Sequence, residues 1–221
     1  MVYVMLARLP NLYRHVLLVC ALTLGAISMP QAHPHMWVDL RSHIIVQDDG
    51  KVAALYQEWL FDDFFSQALM EDAAKHPDGV EAGITLAVED ILHELRAYDY
   101  FTRVSLDEQN IATGTVEMYA AELRGKRVWM SFTVPVETPA DIQTQSLSYA
   151  IFDPTYFMEM LHFENEIVTI QGNAPDGCGA QIIDANPSAD AIALSQSSSL
   201  DDNPDDTIGR LFAQNVVVRC P

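Results

Sequence analysis

Two histidines bracket a proline at His33-Pro34-His35, and the residues behind them, Met36-Trp37-Val38-Asp39-Leu40-Arg41-Ser42-His43, alternate apolar with polar. Imidazole nitrogens suit zinc, nickel and cobalt, and a carboxylate can join them. In a strand successive side chains point to opposite faces, so His33, His35, Trp37, Asp39, Arg41 and His43 share one side and Met36, Val38, Leu40 and Ile44 the other. The polar side is the candidate metal site, with His33, His35 and Asp39 as its ligand set. If the chain is cut before His33, that residue offers an α-amine of pKa about 8 and an imidazole near 6.5, which could chelate one ion together. Pro34 has no amide N–H, so the amide-nitrogen chelate of a free terminus and a third-position histidine is blocked. Asp39 lies about 13 Å beyond His35 by strand rise, so it supports the ligands from behind unless the strand bends. Without a metal, the same stretch is a polar terminus followed by an edge strand.

The cut is expected because residues 1–32 have the anatomy of a signal peptide: Arg8, Arg14 and His15, then the apolar run from Val16 to Ile27, then Ala32. That run is short of the roughly 20 apolar residues a membrane helix needs. Pro30 stands where a small residue is expected, and Cys20 raises the rival of a lipoprotein, although Leu18 and Val19 fit such processing poorly. The mature chain, 33–221, is therefore expected in the periplasm. The full chain carries a net charge of −19, and losing Arg8 and Arg14 makes it more negative still. Such a surface repels nucleic acid and anionic lipid, which excludes both as partners and leaves the membrane to be met only through another protein.

The elements that must position the histidines follow from pattern. With 49% apolar residues the chain can bury a core. The opening strand runs to Val46, and Asp49-Gly50 turns it into a second strand from Val52 to Phe61. Asp62 is placed to cap a helix over about 63–75, with Phe64, Phe65, Ala68, Leu69 and Ala73 as its apolar stripe. A second helix is expected over about 84–98 with His93 at its surface, so the insertion spans about 62–98. Strands are expected at 101–106, 115–123, 127–134, 146–152, 157–163, 167–171 and 178–183. The acidic stretch 184–206 lacks periodicity and reads as a flexible excursion. A helical turn at 208–212 and a strand at 216–219 close the chain. Cys178 and Cys220 are the two mature cysteines, and in an oxidising compartment they read as a disulfide, which would stabilise by about 4 kcal/mol in the chain-entropy picture. The rival is a two-thiolate metal site. The whole is one α+β domain, mainly antiparallel and sandwich-like, with a two-helix insertion and a C-terminal disulfide.

Other groups compete for a role. Asp153-Pro154-Thr155-Tyr156 could bring a carboxylate and a phenol to a site, but an Asx-Pro turn with a packed tyrosine explains it as well. His162 sits among apolar residues and reads as a satisfied boundary histidine before a ligand. Trp37 and Trp59 read as core or interface aromatics. No Ser/His/Asp order, paired carboxylates or metallohydrolase spacing supports an enzyme.

The set His33-Pro34-His35-x-Trp37-Val38-Asp39, Trp59-x-Phe61-Asp62, Tyr98-x-Tyr100-Phe101, Asp153-Pro154-Thr155-Tyr156 and Cys178 with a near-terminal Cys220 resembles a family of bacterial periplasmic proteins, DUF1007. Its members are described as the periplasmic component of an ABC-type transport system. They resemble proteins encoded beside, or fused to, permeases of the nickel/cobalt type, with some members implicated in zinc acquisition. The resemblance implies a periplasmic accessory that binds zinc before nickel or cobalt and delivers it to such an inner-membrane permease, or buffers it. The rival expectation is an interaction or assembly module of a transporter that holds no metal. Relatives also carry a calcium-type loop between the helices; here Glu71 to Glu81 lacks the alternating oxygen ligands that loop needs.

Overall fold

The computed structural model describes residues 34–196 and 207–221. The expected signal segment, His33 and residues 197–206 of the acidic stretch lie outside the described residues. Strand β1 (Met36–Val46) turns through Asp48–Gly50 into its antiparallel neighbour β2 (Val52–Phe61). Gly50 takes φ 81°, the left-handed conformation that this turn demands and that a side chain would resist. Helix α1 (Asp63–Ala73) and helix α2 (Val80–Leu95) follow, then a 3-10 turn over Arg96–Phe101. The remaining strands are β3 (Thr102–Leu106), β4 (Gln109–Ile111), β5 (Tyr119–Arg124), β6 (Arg127–Ala140), β7 (Leu147–Ile151), β8 (Met158–His162), β9 (Thr169–Gly172) and β10 (Gly179–Ile183). Helices α3 (Ala189–Ser195) and α4 (Thr207–Phe212) and strand β11 (Asn215–Arg219) end the chain.

Two sheets carry the fold. The first has the order β5-β6-β2-β1-β8, with β9 also on β1; the second runs β10-β11-β7-β3-β4. The expected antiparallel α+β architecture is what the chain adopts, with one refinement. β8 and β9 pair with β1 in parallel, one after the other along its length, instead of with each other. Their shortness leaves room for both beside an eleven-residue strand.

Alternation along β1 follows the expected sorting. Met36, Val38, Leu40, Ile44 and Val46 are buried, and Trp37, Asp39, Arg41 and His43 reach solvent. The inward faces of both sheets and the two long helices share one core, in which Val38, Leu40, Trp59, Phe132, Ile84, Val88, Tyr149 and Val216 all take part. Two hydrogen bonds cross between the sheets inside it, Gln57 to Thr102 at 2.7 Å and Ser42 with Tyr149 at 2.7 Å.

The helical insertion differs from its expected outline in detail. Asp62 caps α1 by accepting from the Phe65 amide at 2.9 Å, as its position suggests. Phe65, Leu69 and Ala73 pack into the core, but Phe64 is 84% exposed, one residue off the buried stripe. α2 begins at Val80, not Ile84, with no side-chain cap. A Cβ at Gly83 would come within 2.3 Å of the Ala73 carbonyl, so glycine is what lets the two helices touch. Regular helix stops at Leu95, and Asp99, Tyr100 and Phe101 turn to positive φ. Within the stretch 184–206, read as irregular, residues 189–195 form a helix capped by Ser188, with Ala191 and Ser195 buried. Seven residues are too few for a periodic signal.

Candidate functional site

The outward face of the first sheet is where the sequence places chemistry, and the register fixes which groups meet there. Asp39, Leu60, Trp129 and Glu122 stand in one row across β1, β2, β6 and β5. Arg41, Glu58 and Ser131 form the next, and His43, Tyr56 and Thr133 a third. His43 stacks on Tyr56 with ring centroids 5.8 Å apart and meets the Thr169 hydroxyl through Nδ1 at 2.8 Å.

Charge on this face is paired. Asp39 Oδ2 lies 2.7 Å from Arg127 Nη1. Arg127 also donates to the Leu60 and Phe61 carbonyls at the end of β2, so it bridges three strands. Arg41 pairs with Glu166 at 2.9 Å. Arg124 lies 3.7 Å above the Trp129 ring and reaches Glu58 and Glu122, and Trp129 Nε1 donates to Glu58 at 3.0 Å. That cover explains why Trp129, on the outward side, is buried. Arginine stacked on an aromatic face is a stabilising arrangement.

At the entry end of β1, His35 is exposed, with its ring centroid 5.0 Å from that of Phe157 and its amide on the Phe157 carbonyl. Trp37 is 49% exposed. Its backbone is clamped from both sides: its N–H donates to Asp62 Oδ2 at 2.9 Å, and its carbonyl accepts from the Asp62 amide. Asp62 thus caps α1 and anchors β1 with one carboxylate. Glu159 stands beside Trp37 on β8 and accepts from the Tyr156 hydroxyl at 3.1 Å. Of the three expected ligands, then, His35 stands one residue before β1 and Asp39 on the outward side of that strand, held by Arg127, while His33 lies outside the described residues. Among the described residues no group of three or more His, Cys, Asp or Glu side chains is placed to hold a metal ion.

The remaining candidates resolve into structure. Asp153 is buried, and its carboxylate accepts from the Thr155 amide and hydroxyl and from the Met158 amide, which sets the turn into β8. Tyr156 stacks on Phe212 at 4.0 Å, and burial together with the neighbouring Glu159 pushes its phenol well above the ordinary range. Cys178 and Cys220 form a disulfide.

His162 is buried and carries a hydrogen-bond chain whose polarity can be worked out. Its amide and its Nδ1 both meet Gln214 Oε1, at 2.8 and 3.0 Å. A carbonyl oxygen only accepts, so Nδ1 holds the proton and Nε2 must accept from Ser42 Oγ, 2.8 Å away. Ser42 in turn accepts from the Tyr149 hydroxyl, and Gln214 Nε2 donates to Asp184 at 2.8 Å. Burial lowers the His162 pKa below 6.5 and raises that of Tyr149. Ser42 is fully buried, so this serine–histidine contact offers nothing to a substrate. Sequence reading missed Ser42, Tyr149 and Gln214 as a set; the only signal was a serine at a core position of β1.

The comparisons with known proteins bear on this face only through descent. A protein of Haemophilus influenzae described as an uncharacterized protein is 25% identical over 195 residues, covering 86% of this chain and 91% of its own length. No solved structure matches the chain. The family model described as protein of unknown function (DUF1007) matches residues 18–220, which takes in both sheets, the helical insertion and the Cys178–Cys220 pair. The chain belongs to the DUF1007 family.

Proposed function

We propose that this protein is a periplasmic accessory of divalent transition-metal transport, which carries zinc, or nickel or cobalt, for an inner-membrane permease of the nickel/cobalt type. The observation that carries the reading is the entry end of β1, where His35, one residue before the strand, and Trp37, on its outward side, are both open to solvent. The chain arrives there directly from His33. Two imidazoles and a new terminal amine at one strand end make a nitrogen-rich set that suits these ions better than calcium or magnesium. Asp39 already holds Arg127 through Oδ2 and lies about 13 Å along the strand from His35, so His33 and His35 are the principal ligands. The Trp37, Tyr56 and arginine content of the surrounding face is that of a protein contact surface, and it offers the permease somewhere to dock.

A second reading, an interaction module that holds no metal, is favoured by the Asp39–Arg127 pair, which already satisfies the one carboxylate of the expected ligand set. Titration calorimetry with zinc on exported protein beginning at His33 separates the two. The metal-carrier reading expects one ion per chain, with affinity falling at least tenfold in His33→Ala plus His35→Ala. It also expects weaker binding below the imidazole pKa, where protons take the same lone pairs. Unchanged affinity in the double variant, or no binding at all, supports the interaction module.

A further inference from the structure

A short edge strand of the first sheet ends on a buried imidazole. β8 pairs with β1 over five residues and stands at the end of the sheet order. On its outer side it meets no strand among the described residues, and there the His162 amide donates to the Gln214 side chain. On its inner side the Phe163 amide donates to the Leu40 carbonyl at 3.1 Å. The His162 ring reaches Ser42 of β1 and, through it, Tyr149 of β7 in the other sheet. One side chain therefore stands where β8, β1, the second sheet and the chain before β11 come together.

The hydrogens of this cluster balance only while the ring is neutral. Tyr149 donates to Ser42, Ser42 donates to Nε2, and Nδ1 donates to Gln214. A proton added at Nε2 turns an acceptor into a donor. Nε2 must then donate to Ser42, and the hydroxyl hydrogen of either Ser42 or Tyr149 is left with no acceptor. Both hydroxyls are buried, where an unpaired hydrogen and a new charge are costly. The excess proton cannot be passed on, because burial raises the Tyr149 phenol. Around the ring, Glu166 of the loop after β8 is paired with Arg41 of β1 at 2.9 Å, and Asp184 after β10 is reached only through Gln214. Arg210 of α4 lies over the Phe152 ring. Burial outweighs the Gln214 hydrogen bond and the charge of Glu166, and holds the His162 pKa below 6.5.

We propose that His162 is a proton-operated latch on the seam between β8 and β1: the neutral ring closes it, and the protonated ring leaves the core, taking the end of β8 and residues 163–168 off β1. The closed state is favoured above about pH 6.5, the ordinary imidazole value, and opening gains up to about tenfold per pH unit from there down to the folded pKa. Glu166, whose charge already acts on the ring, lies in the loop that moves with it. Opening withdraws Glu166 from Arg41, and it withdraws the Phe163 ring, whose centroid is 5.0 Å from the Arg41 guanidinium. The outward face of the first sheet thus has one arrangement at neutral pH and another in acid. If that face docks a partner, a consequence that rests on the function proposed above, acid releases the partner. The latch itself needs neither partner nor metal.

The test is amide hydrogen exchange on the exported protein without metal, at pH 7.5 and pH 5.0, corrected for the intrinsic rate at each pH. The expected result is exchange at 158–163 at least fivefold faster in acid, and not accelerated further by dilute urea, which is the mark of a local opening. Asp184→Asn plus Gln214→Glu moves one carboxylate to the Nδ1 side of the ring at constant net charge. A carboxylate there favours the charged imidazole inside the core, so this variant should stay closed, with its pH 5.0 rate within twofold of that at pH 7.5. A merely weakened fold would not give that gain. His162→Gln, which has no proton to take up, should also lose the acceleration. No acceleration in the parent protein, or acceleration kept in either variant, would overturn the proposal. So would acceleration at 158–163 that dilute urea increases as it does at 55–59, since the opening would then be unfolding of the whole chain. Because no metal or partner enters the measurement, its failure leaves the metal-carrier reading standing, and failure of that reading leaves the latch.

Discussion

His162 shows how one residue can be legible as a type and illegible in its partners. Its apolar neighbours mark it as a satisfied histidine, and that is what it is. Its partners Ser42, Tyr149 and Gln214 are 120, 13 and 52 residues away, distances that no local pattern spans. Arg127 is the same case at the outward face, since nothing local ties it to Asp39. Two predictions follow from the buried chain. Ser42→Ala leaves the Tyr149 hydroxyl and His162 Nε2 without their shared partner, and an unpaired buried group costs roughly 1–3 kcal/mol; urea unfolding should show a loss of at least that size. The pH dependence has a fixed sign. With its folded pKa held below 6.5 by burial, His162 binds its proton more readily in the unfolded chain. Its contribution is therefore complete above pH 6.5 and declines as pH falls from there toward the folded pKa, by up to about 1.4 kcal/mol per pH unit. His162→Gln should flatten the stability profile across that window relative to the parent protein, and an unchanged slope would show that the imidazole is not the titrating group.

At the scale of elements, period-two alternation made β1 and β6 readable and the Asp49-Gly50 turn made β2 so, although the outward side of β6 is covered at Trp129 and Ser131, both buried. Shorter pieces were harder. α3 spans seven residues, and β8 and β9 carry no sign in their own sequence that they will lie parallel to β1. Asp62 was readable as a cap, but not as the group that also holds the Trp37 amide, since that bond reaches back 25 residues. Asp62→Ala should therefore cost more than the roughly 1 kcal/mol typical of a lost cap. It should also speed amide exchange at Trp37, which a cap confined to its own helix would leave alone. The disulfide belongs to this scale too. Gly179 pairs with Arg219 in the β10–β11 ladder, so Cys178 and Cys220 stand opposite each other one step further along. Replacing both by serine should cost about 2–4 kcal/mol and loosen exchange at that end of β10 and β11 while β1 and β2 stay protected.

For the molecule as a whole, the question is whether the helical insertion is a part or a passenger. Its sequence boundaries suggest a unit that could be lifted out, because the chain leaves the sheet at Asp62 and returns to strand at Thr102. The packing argues otherwise. Ile84, Val88, Leu92 and Leu95 belong to the same core as Trp59, Phe132 and Val216, and Trp59 stacks on Phe101 at 6.2 Å at the point where the insertion rejoins the sheet. Ser66 on α1 accepts from the Val128 amide of β6 at 2.9 Å, a second tie from helix to sheet. An element that supplies part of a single core and satisfies sheet backbone groups cannot melt without exposing the sheet it covers, so the chain should unfold as one cooperative unit. Fluorescence of Trp59, read in a Trp37→Phe, Trp129→Phe background, and helical circular dichroism should then follow the same urea curve. Helix signal lost at lower urea than the tryptophan signal would instead separate the insertion from the sheets and make the shared core a contact between two units.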